Sequence, residues 1–158
     1  MTLTPNESGI FNNLVYLDDI HWSYLSGLFD GEGSIHLQKR KTKNGYTDWS
    51  LALTLCNTNV EVMEYIHKLF GGSLRCDKRF RGRKDIYRWS AWGYRADYII
   101  RRLHKYLIIK KKQAVVAMCF KDTFVGRGKK LTQDVIAERD RLHRIMSQLN
   151  RRGEIASA

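Results

Sequence analysis

The chain has 158 residues, 43% of them hydrophobic, enough to bury one real core but not two full ones. Its 28 Lys and Arg against 16 Asp and Glu give a formal charge of +12, which points to a polyanionic partner, nucleic acid first. No apolar run approaches the roughly 20 residues that cross a bilayer, no basic signal-peptide start is present, and Cys56, Cys76 and Cys119 lack the spacing of a zinc site or disulfide framework. The expectation is an intracellular protein without membrane contact.

Residues 1–18 read as an irregular segment ending in Asp18 and Asp19, either of which can cap a helix beginning near Ile20. Trp22, Leu25, Leu28 and Phe29 form the apolar face of that helix, with Ser23, Ser26, Gly27 and Asp30 on another side. Small residues there would let a second helix approach closely; an ordinary polar side uses the same residue types. After Gly33 the period becomes alternating, Ile35 and Leu37 against Ser34, His36, Gln38 and Arg40. Asn44-Gly45 signals a hairpin, and "WSLALTLCN" returns with Leu51, Leu53 and Leu55 against Ser50, Ala52, Thr54 and Cys56.

Thr58 and Glu61 have capping-box spacing and open a helix through Val62, Met63, Ile66, Leu69 and Phe70 that stops at Gly71-Gly72. A second hairpin follows, "SLRCDKRF" and "DIYRWSAW" around "RGRK". Leu74 and Cys76 alternate with Arg75, Asp77 and Arg79, and Tyr87 and Trp89 with Arg88 and Ser90. Helical patterns return at 96–107, at about 112–124 and at 132–149, the last capped by Thr132, with a basic linker at 126–130 and a tail at 153–158 expected to fray.

The order gives an α+β fold, an α-β-β-α-β-β-α core whose antiparallel sheet is covered by helices on its apolar face, with further helices at the C-terminus. The uncovered face carries His36, Gln38, Arg40, Arg75, Arg79 and Arg88. Such side chains pair with phosphates and base edges; a solvated strand face is the plainer reading of the same pattern. Glu32 is out of place on either reading. A helix C-terminus carries partial negative charge, so an acid there costs roughly 0.3–1 kcal/mol unless a cation compensates. Its carboxylate beside the Gly31 carbonyl supplies hard oxygen ligands of the kind magnesium takes.

"LSGLFDGEG", Leu25 to Gly33, resembles the LAGLIDADG motif of the homing endonucleases, with Ser26 for alanine, Phe29 for isoleucine, Gly31 for alanine and Glu32 for the second aspartate. The likeness extends in architecture over about residues 19–150, with one copy of the motif, so that 19–152 would be a single endonuclease domain. Single-motif members are homodimers whose sheets form a saddle on double-stranded DNA with a pseudo-palindromic target. The resemblance implies packing of the motif helices through Ser23, Ser26 and Gly27. It implies magnesium (Mn2+ or Ca2+ being other occupants) on Glu32 and Gly31, and hydrolysis of both strands across the minor groove to leave 3′ overhangs. Lys110 best matches the basic stretch near the family's active site, with Lys112 the second match and a plain phosphate contact the alternative role, and Asn57 stands where a solvent-positioning glutamine is often found, a capping or turn role being the alternative. The implied DNA contacts are Ser34, His36, Gln38, Arg40, Thr54, Arg75, Arg79, Arg88 and Lys112. Glu61 departs from relatives that carry a basic residue early in the following helix. The protein would be a site-specific endonuclease encoded in an intron or as a free-standing mobile element, with an intron RNA-splicing maturase or a non-cleaving DNA-binding protein of the same fold as alternatives, and a ribosome-associated RNA-binding protein as a reading from composition alone.

Overall fold

A computed structural model describes residues 17–80, 82–125 and 130–151. The expectations for the N-terminal segment up to residue 16, for most of the 126–130 linker and for the tail lie outside them. Chain order is α1 (Asp19–Glu32), β1 (Gly33–Lys41), β2 (Thr47–Asn57), α2 (Val60–Phe70), β3 (Ser73–Asp77), β4 (Ile86–Trp92), α3 (Gly93–Leu103), α4 (Lys111–Asp122) and α5 (Gln133–Leu149). The four strands form one antiparallel sheet in the order β1-β2-β4-β3.

Strand register decides which side chains share a face, because the side-chain period is two. Ile35 pairs with Leu53, Leu53 with Ala91, Leu55 with Trp89, and Trp89 with Leu74, placing the apolar set on one side. Against that side lie α1, through Trp22, Leu25 and Phe29, α2, through Met63, Ile66 and Phe70, and α3, through Ile99, Ile100 and Leu103, all buried in one cluster. Trp22 meets the edge of Phe70 at 5.1 Å and Phe29 that of Trp89 at 6.5 Å. Each such side chain contributes about 1.5–3 kcal/mol by leaving water, so the helix and sheet positions are fixed mainly by these contacts. α4 and α5 complete the layer through Ala114, Ala117, Phe120, Leu142 and Met146. No helix of the described residues is long and apolar enough to cross a membrane.

Local chemistry sets the junctions. Asp18 caps α1, its carboxylate accepting the His21 N–H at 3.1 Å. Before α2 the expected capping box does not form. The Asn57 carboxamide oxygen accepts the Asn59 N–H at 2.9 Å, and this turn passes the cap to Asn59, which accepts the Val62 N–H at 3.0 Å. Glu61 then stands in the first helical turn, where a negative charge is favourable. Gly71 (φ +62°) and Gly72 (φ +90°) end α2 in conformations that a side chain resists, and a Cβ on Gly72 would stand 2.5 Å from the Ser90 carbonyl oxygen. Asn44-Gly45 falls in the hairpin loop as expected, with Gly45 at φ +79°. α3 begins and ends earlier than the sequence pattern suggests; after Leu103 the chain turns, and Leu107 buries itself outside the helix.

Candidate nucleic-acid interface

Four rows of side chains cross the open face of the sheet. Arg75 lies beside Arg88, and Arg88 beside Cys56. Next come Ser73, Ser90, Thr54 and Ser34, then Trp92, Ala52 and His36, then Ser50 and Gln38. Beyond them Arg40 pairs with Asp48. The register brings together Ser34, His36, Gln38, Arg40, Thr54, Arg75 and Arg88, as the alternation anticipated. Arg40 donates to the Gln38 carboxamide oxygen at 2.6 Å, and the Gln38 amide lies 3.3 Å from His36 Nε2, so β1 presents a connected polar ridge. Burial pushes the His36 imidazole below its ordinary value of 6.5, which leaves it neutral at pH 7.

One feature of the face differs from the expected pattern. Arg79 is not on it: β3 stops pairing at Asp77 opposite Ile86, and Arg79 lies in the loop, where its backbone N–H donates to Asp85 at 3.1 Å. The face also carries acids. Asp77 accepts Arg88 through Nε at 3.0 Å and through a terminal nitrogen at 2.8 Å, which fixes the direction of that guanidinium.

At one end of the face Glu32 lines a pocket of about 270 Å³ together with Cys56, Asn57, Thr58 and Ile86. The Glu32 carboxylate is exposed, no basic residue occupies the last turn of α1, and it forms no ion pair among the described residues. Asn57 spends its oxygen on the turn before α2 and lines the same pocket. Among the described residues no three His, Cys, Asp or Glu converge as a metal cluster. A lone exposed carboxylate at the negative end of a helix, with a carboxamide beside it and open space in front, fits a hydrated divalent cation that completes its shell with water and phosphate.

Lys110 precedes the first residue of α4 and is drawn to α1 by Asp30. The Asp30 carboxylate accepts the N–H of Ile108 at 2.8 Å and that of Lys110 at 3.0 Å, while its backbone carbonyl accepts the Lys110 ammonium. Partial burial pushes the Asp30 carboxyl up, but the backbone N–H groups of Ile108, Lys110 and Ile109 and the Lys110 charge outweigh it and hold the group below its usual value. An ammonium group is thereby tethered two residues before Glu32. Lys112 is exposed in the first turn of α4.

The opposite face of α1 from its core contacts exposes Ile20, Ser23, Tyr24, Gly27 and Gly31. A Cβ added to Gly27 or Gly31 would meet nothing within 4 Å among the described residues. Ser26 does not belong to this face: it is 1% exposed, and its hydroxyl donates to the Leu103 carbonyl of the same chain at 3.4 Å. Its place 100° round the helix from Leu25 turns it toward α3.

Two residues of the interface escaped the sequence pattern. Asp30 had no local signal, since its partners lie 78 and 80 positions away. Trp92 was legible in principle, being in phase with Arg88 and Ser90 along β4.

The model of the LAGLIDADG endonuclease family matches residues 25–121. A search of curated proteins gives no significant match. Among solved structures, the chain is similar to the homing endonuclease I-CvuI in complex with a DNA target, with a TM-score of 0.71 and 19% identity over 91% of this chain and 87% of that one. It is also similar to the archaeal intron-encoded homing endonuclease I-Vdi141I complexed with DNA, at 0.69 and 17% over 85% and 87%. Against I-GzeII in complex with its DNA target the values are 0.61 and 16%, over 77% of this chain but only 43% of the other. These likenesses show a shared fold.

Proposed function

The chain belongs to the LAGLIDADG endonuclease family, which makes it a DNA endonuclease, and on that premise we propose that it is a homodimeric homing endonuclease. It cuts both strands of a pseudo-palindromic target across the minor groove, leaving 3′ overhangs, and is encoded within an intron. The observation that carries the reading is Glu32: an exposed acid, paired with no cation among the described residues, at the pocket end of a face lined with basic and amide side chains.

Each residue has a task that follows from its position. Arg40, Gln38, Arg75 and Arg88 bind phosphates and base edges, fixing the register of the duplex. Glu32, with the Gly31 carbonyl, would hold magnesium, and Asn57 would orient water in the same pocket. Magnesium bound there would supply positive charge that lowers the pKa of a water and stabilises the phosphate and leaving oxygens. Lys110, kept near α1 by Asp30, adds a fixed positive charge where negative charge develops. The small face of α1, Ser23, Gly27 and Gly31, packs on its copy, with Ile20 and Tyr24 flanking it.

The test is cleavage of duplexes selected by binding from a randomised library, with and without magnesium. Magnesium-dependent double-strand breaks with a short 3′ stagger are expected. Specific binding without cleavage in any divalent cation would make the protein a binder, and preferential binding of structured intron RNA would make it a maturase.

A further inference from the structure

We propose that Trp92 reads the 5-methyl group of a thymine in the major groove. The assignment rests on the reading of the open sheet face as a duplex-binding surface. Trp92 is the last residue of β4 and pairs with Ala52, which pairs with His36, so the three side chains form one row across β4, β2 and β1. That row interrupts an otherwise polar face: Ser34, Thr54 and Ser90 border it on one side, Gln38 and Ser50 on the other.

The β4 and β2 part of the row, Trp92 and Ala52, is apolar, while His36 belongs to the polar ridge of β1. Ala52 is fully buried. His36 is held neutral by its burial. Trp92 is 43% exposed and makes no ring or cation contact among the described residues. Its position before α3 provides no capping bond either. An indole left partly in water keeps unfavourable apolar surface, and here it stands beside Arg40 and Ser50 at the mouth of a surface pocket. Charge complementarity selects the occupant: Arg40, Lys41 and Lys43 outnumber the acid Asp48 around that pocket and favour a polyanion. Of the four bases, only thymine projects an apolar group into the major groove.

Deoxyuridine in place of thymine removes that methyl group and leaves base pairing intact. Duplexes selected with the full chain from a randomised library would be substituted one thymine at a time. At one thymine in each half-site the change should weaken binding about fourfold, the worth of one buried carbon. Trp92→Ala should then bind the thymine and deoxyuridine duplexes equally, and Trp92→Phe should retain part of the preference. Indifference of the wild type to deoxyuridine at every position would overturn the assignment. So would a Trp92→Ala protein that loses affinity but keeps the discrimination, which would put the indole on a deoxyribose. Failure to select any duplex would overturn the duplex-binding reading itself, and this assignment with it.

Discussion

Truncating Asp30 to alanine separates stability from catalysis in a way that tests how the motif helix is wired to Lys110. The carboxylate accepts two backbone N–H groups, of Ile108 and Lys110, at 2.8 and 3.0 Å. Hydrogen bonds to a charged acceptor contribute about 1.5–3 kcal/mol each. The carboxylate is only partly buried, so water replaces part of the loss, and a net destabilisation of about 2–3 kcal/mol is expected. At roughly 2–4 °C per kcal/mol for a chain of this size, the melting temperature should fall by roughly 5–10 °C. Asp30→Asn keeps one acceptor oxygen and should lie between. The functional consequence is a looser seat for Lys110: its backbone loses the Asp30 carboxylate, although the Asp30 carbonyl that accepts its ammonium remains, so cleavage should also fall at temperatures where the variant remains folded. A double-mutant cycle with Lys110→Met, followed by single-turnover cleavage of a selected duplex and by thermal unfolding, distinguishes the two effects. The losses in cleavage rate should be strongly non-additive, because Asp30 acts through Lys110. Additive losses, or an Asp30→Ala protein that cuts at the wild-type rate, would refute the wiring.

Gly33→Ala should destabilise the fold by about 1–3 kcal/mol, because the new Cβ would stand 2.5 Å from the ring of the fully buried Phe29 and 2.7 Å from its carbonyl; a urea midpoint unchanged from wild type would contradict this. Gly27→Leu should disrupt the dimer while leaving the protomer folded, since none of the described residues lies within 4 Å of the added Cβ; sedimentation as an undiminished dimer would remove Gly27 from the interface. His36 makes stability pH-dependent: its folded value lies below 6.5, so below that pH the unfolded chain binds a proton that the folded chain resists, and stability falls as pH drops from 6.5 toward the folded value. Chemical denaturation across that range should show a smaller slope for His36→Gln, and identical profiles for the two proteins would exclude His36 as a source.

Much of this was legible because alternation and helical period are written in the side chains. Ile35, Leu37, Leu51, Leu53 and Leu55 announced both the strands and their buried face, and His36, Gln38 and Arg40 necessarily took the other. Placement of Glu32 at the end of α1 followed from the period change at Gly33. What stayed hidden depended on contacts distant in sequence or on competition among local hydrogen bonds. Ser26 looks like Ser23 until α3 arrives over it. The cap of α2 passed from Thr58 to Asn59 because the Asn57 side chain bends the preceding turn. Arg79 shares the phase of Arg75, but the ladder ends at Asp77 and phase has no meaning past the last pair.

The central claim is that Glu32 supplies the metal-binding carboxylate for strand scission. Replacing it with glutamine keeps the size of the side chain and removes the charge. Strand cleavage of a selected duplex in magnesium should be abolished for Glu32→Gln, while the same protein retards that duplex with undiminished affinity and specificity. A Glu32→Gln protein that cuts both strands at the wild-type rate would contradict the account.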